Sequence, residues 1–173
     1  SFDNRVHGSV LTLRTITGRM AHAKPNMAQV PAGYSPFGKE CRTCWTVPKG
    51  KVLVGIDASG IELRMLAHYM RDPDYTQEIL NGDIHTLNQT NAGLETRDQA
   101  KTFIYAFLYG AGSKKIGSIV GSGAKKGKEL IDNFLKQTPS LALLRNTVTQ
   151  EAGRGWLRGL DNRKIWVRSA HSA

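Results

Sequence analysis

Apolar residues recur every three or four positions in the segment 60–70, which predicts a helix there. The apolar side of this helix is expected to carry Ile61, Met65, Leu66 and Tyr69. Asp72-Pro73 is expected to end the helix, because the residue before a proline disfavours the helical conformation. Helix-like spacing and boundary signals predict further helices at 84–91, 96–109, 125–136 and 139–151.

Strand-like patterns occur near both ends of the chain. Residues 1–20 predict a hairpin, 51–56 a short buried strand, and 156–168 two strands around a turn at Asp161-Asn162. Between the first two lies a stretch rich in proline and glycine, 24–50, which predicts a long structured loop. The expected fold class is therefore α/β of the α+β type, with a few antiparallel strands and a mainly helical module from about 71 to 153.

Charge is unevenly distributed along the 173 residues, whose net charge is +10. Residues 1–95 contain ten basic and nine acidic residues, whereas residues 96–173 contain fourteen and five. An excess of this size indicates a surface for polyanions such as nucleic acid or nucleotide phosphate. A solvated basic surface without a ligand is the simpler alternative.

Several classes of protein are disfavoured by composition. The apolar runs are far shorter than the roughly 20 residues that a membrane-spanning helix needs, and the chain begins without a secretory signal pattern. Two cysteines do not form a disulfide scaffold, so a reducing compartment, the cytoplasm, is expected. Cys41 and Cys44 lack the second ligand pair that a zinc site needs, and the segment 121–129 departs from the phosphate-binding loop pattern.

The first candidate for chemistry is Asp57, which follows the predicted strand 51–56 and precedes a helix. A carboxylate at such a place suits a hard cation such as Mg²⁺, and the Ala58 carbonyl can add a second oxygen ligand. Glu62 follows in the first turn of the helix. The alternative is that Asp57 only caps the helix.

The second candidate is the predicted helix 96–109. Arg97, Lys101 and Tyr105 are spaced by four residues and share one face, whereas Ala100, Phe103 and Phe107 fall on the other side. Two cations and an aromatic ring suit a triphosphate and a base. The alternative is an ordinary solvated basic face.

Five segments in order resemble family A DNA polymerases, the group similar to bacterial DNA polymerase I. DASGIELRMLAHYM, NGDIHT and TRDQAKTFIYAFLYGAG resemble the polymerase A and B motifs. TGRMAHAKPNMAQVP upstream and GLDNRKIWVRSAHSA downstream resemble the same group. The resemblance is strongest to the replicative polymerases of podovirus-type phages, and it extends from about Val6 to Ala173.

The resemblance implies a role for each matching residue. Asp57 would hold both catalytic Mg²⁺ ions, with help from the Ala58 carbonyl, and Glu62 would exclude a ribose 2′-hydroxyl while bonded to Tyr105. His85, Arg97 and Lys101 would bind the incoming triphosphate, and Tyr105 would stack on the nascent base pair. The DNA contacts implied by the resemblance are Arg19, Asn26 and Gln29 at the minor groove, and Tyr109, Gly110, Arg168 and His171 on the template side.

The resemblance also implies an organisation. Residues 1–70 would be a partial antiparallel palm with primer–template contact loops, and residues 71–173 the helical fingers of a right-hand polymerase. The expected activity is DNA-directed nucleotidyl transfer in phage DNA replication, with primer–template DNA and deoxynucleoside triphosphates as partners. A processivity factor is compatible with the full-length protein, and no membrane is involved.

The sequence departs from the family in one respect that bears on activity. Family A polymerases carry a second metal-binding aspartate in a His-Asp-Glu turn, and these 173 residues contain no such triplet. We therefore expect the chain to be an internal piece of a polymerase that is inactive by itself. Two alternatives are a catalytically inactive module that binds nucleotide or DNA, and a basic structural protein.

Overall fold

The computed structural model of the chain describes residues 3–167. Contacts between residues divide the chain into two compact units, Ser1–Asp57 and Ala58–Ala173. The described residues form eight helices and two separate two-stranded antiparallel sheets. The expectation of a mixed α/β fold is therefore confirmed. The assignment of 1–70 to a palm and 71–173 to fingers stays a prediction.

The first unit contains little regular structure. Strand β1 (Ser9–Leu11) pairs antiparallel with β2 (Ala21–Ala23), with Val10 opposite His22. A short helix, α1 (Gly38–Thr43), lies in the stretch that was predicted to be loop. The hairpin is thus present, although β2 begins just beyond the expected segment.

The prediction of a buried strand at 51–56 is wrong. These residues form no strand and are exposed, with Ile56 96% exposed. A strand is stabilised by hydrogen bonds to a neighbouring strand, and no segment within 3–167 pairs with this one. Apolar, β-branched composition indicates a strand only where a pairing partner is at hand.

The second unit is helical and ends in a hairpin. Strands β3 (Trp156–Arg158) and β4 (Lys164–Trp166) form the predicted hairpin around the turn at Asp161. The helices are α2 (Ile61–Met70), α3 (Pro73–Asn81), α4 (Ile84–Ala92), α5 (Arg97–Leu108), α6 (Ser113–Ile119), α7 (Ala124–Gln137) and α8 (Pro139–Ala152).

Asp72-Pro73 ends one helix and begins another, which explains why α3 was missed. The backbone N–H of Tyr75 donates to the Asp72 carboxylate at 3.0 Å, and Pro73 occupies the first helical position, where its missing N–H costs nothing. Helix α2 ends just before, with Arg71 in the left-handed conformation. Helix α6 was also missed, because its seven residues are too few to show a clear period.

Helix α2 is present where it was predicted, but it buries a different face. Leu63, Leu66, Ala67 and Met70 are buried. Of the expected apolar side, Ile61, Met65 and Tyr69 are exposed. The helix carries two apolar stripes, and packing against α3 and α8 selects one of them.

The core of the second unit is built around α5. Phe103 and Phe134 meet edge to face at 5.2 Å between ring centroids, and Phe107 meets Phe134 at 5.6 Å. Ala100, Phe103, Ile104 and Phe134 are fully buried. A capping box begins α5: the Gln99 N–H donates to the Thr96 hydroxyl at 3.2 Å, and the Gln99 side chain accepts from the Thr96 N–H at 3.3 Å.

No helix among residues 3–167 combines the length and the apolar composition needed to cross a bilayer. The longest of them, α7 and α8, have 14 residues each.

Helix α7 approaches α6 so closely that Gly127 has no space for a side chain. A Cβ at this position would overlap the carbonyl oxygen of Ser113 and lie 2.6 Å from the Gly117 nitrogen. Both neighbours are backbone atoms, so the two helices would have to separate to admit a methyl group.

We therefore expect Gly127→Ala to destabilise the protein. In an ordinary helix interior the same change would stabilise the helix by about 1 kcal/mol. The control is Gly123→Ala at the N-cap of α7, where φ is −91° and no atom lies within 4 Å of the would-be Cβ, so that only the N-cap preference for glycine over alanine, about 1 kcal/mol, is lost. Urea unfolding monitored by circular dichroism gives the two free energies. A Gly127 variant as stable as the control would contradict the close helix contact.

Candidate functional site

A cavity of about 320 Å³ lies in the second unit where the first turns of α2 and α4 approach the middle of α5. Three residues predicted to bind the nucleotide, His85, Lys101 and Tyr105, line it together. The other lining residues are Ser59, Gly60, Leu63, Arg64, Ile79 and Ile84. The structure thus brings together groups that are 20 residues apart in sequence.

The packing of α5 determines which residues reach the cavity. Phe103 is fully buried on the opposite side of the helix, about 200° around the axis from Lys101. Because that side is held in the core, Lys101 and Tyr105 are directed into the cavity, and Arg97 lies one turn earlier on the same face.

Arg97 is held by Asp83, a residue that the sequence analysis did not select. The Arg97 Nε donates to one Asp83 carboxylate oxygen at 2.7 Å, and a terminal nitrogen donates to the other at 3.1 Å. Asp83 also caps α4, accepting from the His85 N–H at 3.1 Å. The hydrogen bond from Arg97 is the main reason that the pKa of Asp83 is well below its usual value. The N-cap position just before α4 is the sequence signal that could have identified Asp83.

His85 is surrounded by groups that favour its neutral form. Burial lowers its pKa first, the nearby charges of Arg97 and Lys101 lower it further, and only Asp83 opposes them. Its Nδ1 atom is buried and has no hydrogen-bond partner in the described part of the chain. A neutral imidazole with an unused ring nitrogen can donate to or accept from a ligand in the cavity.

Glu62 has a different partner from the expected one. The Tyr109 hydroxyl, rather than that of Tyr105, donates to the Glu62 carboxylate, at 3.1 Å. Tyr109 lies one turn after Tyr105, just past the end of α5, so four-residue spacing alone does not distinguish them. The pKa of Tyr105 is raised, mainly by burial and then by the negative charge of Glu62.

The candidate template contacts Tyr109 and Gly110 lie just beyond the end of α5. They line a groove of about 750 Å³ that α8 borders with Leu141, Leu144 and Arg145. Gly110 has a φ of +76°, which a residue with a side chain rarely adopts, so the chain can turn sharply here. Arg168 and His171 lie outside the described residues.

The first unit brings two of its four candidate residues together. Asn26 and Gln29 line a cavity of about 960 Å³, which Cys41, Cys44 and Trp45 also border. Arg19 is not among the residues that line it. Asp57 is exposed at the end of the unit.

The oxygen donors at Asp57 and at the adjoining Ala58 carbonyl have the chemistry that Mg²⁺ prefers. They are consecutive in the chain, and the Asp57 carboxylate has no hydrogen-bond or ion-pair partner within residues 3–167. The described residues contain no group of three or more His, Cys, Asp or Glu side chains that could hold a metal. These two donors therefore fit part of a metal site.

The family model for DNA polymerase family A matches residues 1–173. The chain belongs to DNA polymerase family A. The order of the five sequence segments agrees with this assignment.

The polymerases most similar in sequence include two from phages. The chain is 49% identical over 197 residues to the DNA-directed DNA polymerases of Escherichia phage T7 and Enterobacteria phage T3, covering 99% of this chain and 28% of each phage protein. It is 32% identical over 158 residues to a Helicobacter pylori DNA polymerase I, covering 86% of this chain and 17% of that protein. This family A chain thus spans less than a third of the length of these relatives.

A solved structure has the same fold. It is the POL domain of Pol1 from M. smegmatis in complex with DNA primer-template and dNTP, and it matches with a TM-score of 0.81 at 20% identity. The match covers 97% of this chain and 31% of that one. At 20% identity, this match shows that the two chains share a fold and nothing further.

The charges around His85 predict how it titrates. Because its pKa is lowered, the neutral form stabilises the fold at pH values above about 6.5, and this stabilisation is lost as the pH falls below that value. Arg97→Ala removes a repelling cation and also frees Asp83, so we expect the pKa of His85 to rise.

The pKa can be measured by NMR titration of the imidazole signals, with His85→Gln to assign the resonance. Lys128→Ala is the control, because Lys128 lies on α7 and pairs with Asp132 at 2.6 Å. A wild-type pKa at or above the ordinary value, or no change in the Arg97 variant, would contradict the electrostatics described for the cavity.

Proposed function

We propose that this chain is the nucleotide-binding and template-binding part of a longer DNA polymerase, here named the parent polymerase. In it, the chain takes part in template-directed nucleotidyl transfer to a primer 3′-hydroxyl during phage DNA replication in the host cytoplasm. The observation that carries the proposal is the cavity into which Lys101, His85 and Tyr105 converge beside Arg97. Primer–template DNA, deoxynucleoside triphosphates and Mg²⁺ are the proposed partners.

The cavity suits the phosphates of a nucleotide. Lys101 and Arg64 line it and bring positive charge, and His85 adds a neutral hydrogen-bonding group. Arg97 is paired with Asp83, so we propose that binding of a triphosphate draws part of the Arg97 guanidinium away from that carboxylate. Tyr105 offers a ring at the cavity wall on which the base pair can rest.

The primer 3′-hydroxyl attacks the α-phosphate in line, and pyrophosphate leaves. Negative charge builds up on the phosphates during this step, and the cations of α5 stabilise it without having to move far. Asp57 and the Ala58 carbonyl would hold Mg²⁺ when it is bound. Mg²⁺ held there would favour deprotonation of the primer hydroxyl and would supply positive charge for the leaving pyrophosphate. The remaining carboxylate of the two-ion site would come from another part of the parent polymerase.

The proposed DNA contacts divide between the two units. Asn26 and Gln29, which share a cavity, and Arg19 are proposed to contact the primer–template at the minor groove. Tyr109 and Gly110 are proposed to face the template base. Arg168 and His171, which lie outside the described residues, are proposed as further template contacts. Amide and guanidinium groups suit the minor-groove acceptors that all base pairs present, so these contacts need not depend on sequence.

The triphosphate site can be tested with Lys101→Ala in the parent polymerase. Loss of a charge-assisted contact to phosphate in a partly enclosed site should cost about 2–4 kcal/mol of transition-state stabilisation, seen as a lower kcat/KM for nucleotide incorporation. Lys128→Ala removes the same charge from an exposed, ion-paired position on α7 and should have little effect. Equal, small effects from the two variants would overturn the assignment.

Sugar selection can be tested at Glu62. A carboxylate held by the Tyr109 hydroxyl has no donor for a ribose 2′-hydroxyl and leaves little space for it. Glu62→Ala should therefore lower the ratio of kcat/KM for deoxynucleotide over ribonucleotide at least tenfold, with only a modest loss for deoxynucleotide, on the order of 1 kcal/mol.

Tyr109→Phe is the matched variant for this test, because it keeps Glu62 but removes the hydrogen bond that orients it. We expect a smaller decrease in the same ratio. An unchanged ratio in Glu62→Ala would mean that the carboxylate only stabilises the start of α2.

A further inference from the structure

The hairpin at the end of the described chain presents an unusual set of side chains on one face. Trp156 lies opposite Trp166, and Arg158 lies opposite Lys164. Because side chains alternate along a strand and directly opposed residues share a face, these four lie on the same side. The intervening residues Leu157 and Ile165 form the other, half-buried side.

The Trp156 ring is surrounded by cations. The Lys164 ammonium lies 4.8 Å from the ring centroid, and the guanidinium groups of Arg154 and Arg158 lie at 5.4 and 5.8 Å. Cation–π contacts hold the three charged groups in place. Trp166, by contrast, is 65% exposed and offers an open aromatic ring next to them.

Two of these cations have no acidic partner. Arg154 pairs with Glu151 at 3.1 Å, and Arg163 at the turn pairs with Asp161 at 3.2 Å. Neither Arg158 nor Lys164 forms an ion pair with any described residue, and Arg158 only donates to the Asn162 side chain at 3.3 Å. Like charges directly opposed on a hairpin destabilise it, so an external anion bound here would relieve a repulsion that the fold itself leaves in place.

A groove adjoins this face at Arg158. It has a volume of about 630 Å³, and Tyr69, Arg71, Leu143 and Leu160 help to line it. None of its described lining residues is acidic. Tyr69 is 45% exposed, so the groove continues the same combination of cations and accessible aromatic rings.

We propose that the face formed by Trp156, Arg158, Lys164 and Trp166, named here the hairpin face, binds single-stranded DNA outside the nucleotide cavity. Arg158 and Lys164 contact successive phosphates, and Trp166 stacks on a base. An acidic protein segment would also form ion pairs with the cations, but it would not stack on the exposed aromatic rings. Cations alternating with accessible aromatic rings are the combination by which proteins hold single strands without reading their sequence.

The test uses the parent polymerase already saturated with an unlabelled primer–template and the next correct nucleotide on a dideoxy-terminated primer. The probe is fluorescein-labelled oligo(dT), 16 nucleotides long, followed by anisotropy. Occupying the primer–template channel first ensures that the probe reports a separate site.

We expect the wild-type protein to bind this probe, and Arg158→Gln/Lys164→Gln to bind it roughly tenfold or more weakly. The slope of log K against log salt should become less steep by about 1.4, which corresponds to two lost phosphate contacts on a single strand. Lys136→Ala/Arg163→Gln is the control, because it removes two positive charges from an exposed helix position and from the ion-paired turn. Nucleotide incorporation on a short-overhang template should stay at the wild-type rate in both, which separates this site from the proposed polymerase site.

A second pair of measurements tests the stacking. Trp166→Ala should weaken binding about tenfold and Trp166→Phe much less, since a phenyl ring retains most of the stacking surface. An abasic strand of the same length should bind the wild type as poorly as oligo(dT) binds Trp166→Ala. Thermal unfolding shows whether each hairpin variant remains folded. Glutamine is used at 158 and 164 because its long side chain preserves the packing of the hairpin.

Three results would overturn the proposal. The first is wild-type protein that does not bind the probe once the primer–template is in place. The second is equal affinity for oligo(dT) and the abasic strand. The third is a poly-glutamate peptide that binds the hairpin face more tightly than oligo(dT), which would assign the face to an acidic protein partner.

Discussion

The burial of one side of α5 is the constraint on which the rest of the second unit depends. Phe103, Ile104 and Ala100 are fully buried, and Phe103 and Phe107 both pack on Phe134 of α7. A fully buried side chain of the size of phenylalanine contributes about 2 kcal/mol or more, so rotation of the helix out of this packing is costly. The opposite side of α5 must then face outward, and it carries Lys101 and Tyr105, which are proposed to contact phosphate and base.

Charge in the proposed nucleotide cavity is controlled by Asp83, the carboxylate that caps the start of α4. Asp83 accepts a hydrogen bond from the first turn of α4 and at the same time accepts from two nitrogens along one edge of the Arg97 guanidinium. The carboxylate therefore holds an arginine near the cavity until a stronger anion competes for it. His85 stays neutral beside this pair because it is partly buried and has cations around it. The result is a site that is preorganised for negative charge without containing unpaired buried charge.

The hairpin face also holds cations that an external anion can reach, but through a different interaction. There, the Trp156 ring rather than a carboxylate holds Arg158 and Lys164. An aromatic ring orients a cation without neutralising it, so the positive charge remains available to an external phosphate. Part of the excess of basic residues after residue 95 therefore lies in two places that differ in structure: Lys101 in a partly enclosed cavity, and Arg158 and Lys164 on an exposed sheet face.

The sequence by itself determined the family and most local elements of the second unit, with α3 and α6 as the exceptions. Capping and proline signals located α5 and α8, and four-residue spacing placed Arg97, Lys101 and Tyr105 on one face, because these properties depend on residues within one or two turns. The tertiary structure decided what distant residues do together. Packing determined which stripe of α2 is buried, and it left 51–56 without a strand partner within residues 3–167. It also paired Glu62 with Tyr109 rather than Tyr105, and Asp83 with Arg97. Each of these depends on a partner far away in the chain, and periodicity does not encode which of two equivalent partners the packing will bring within reach.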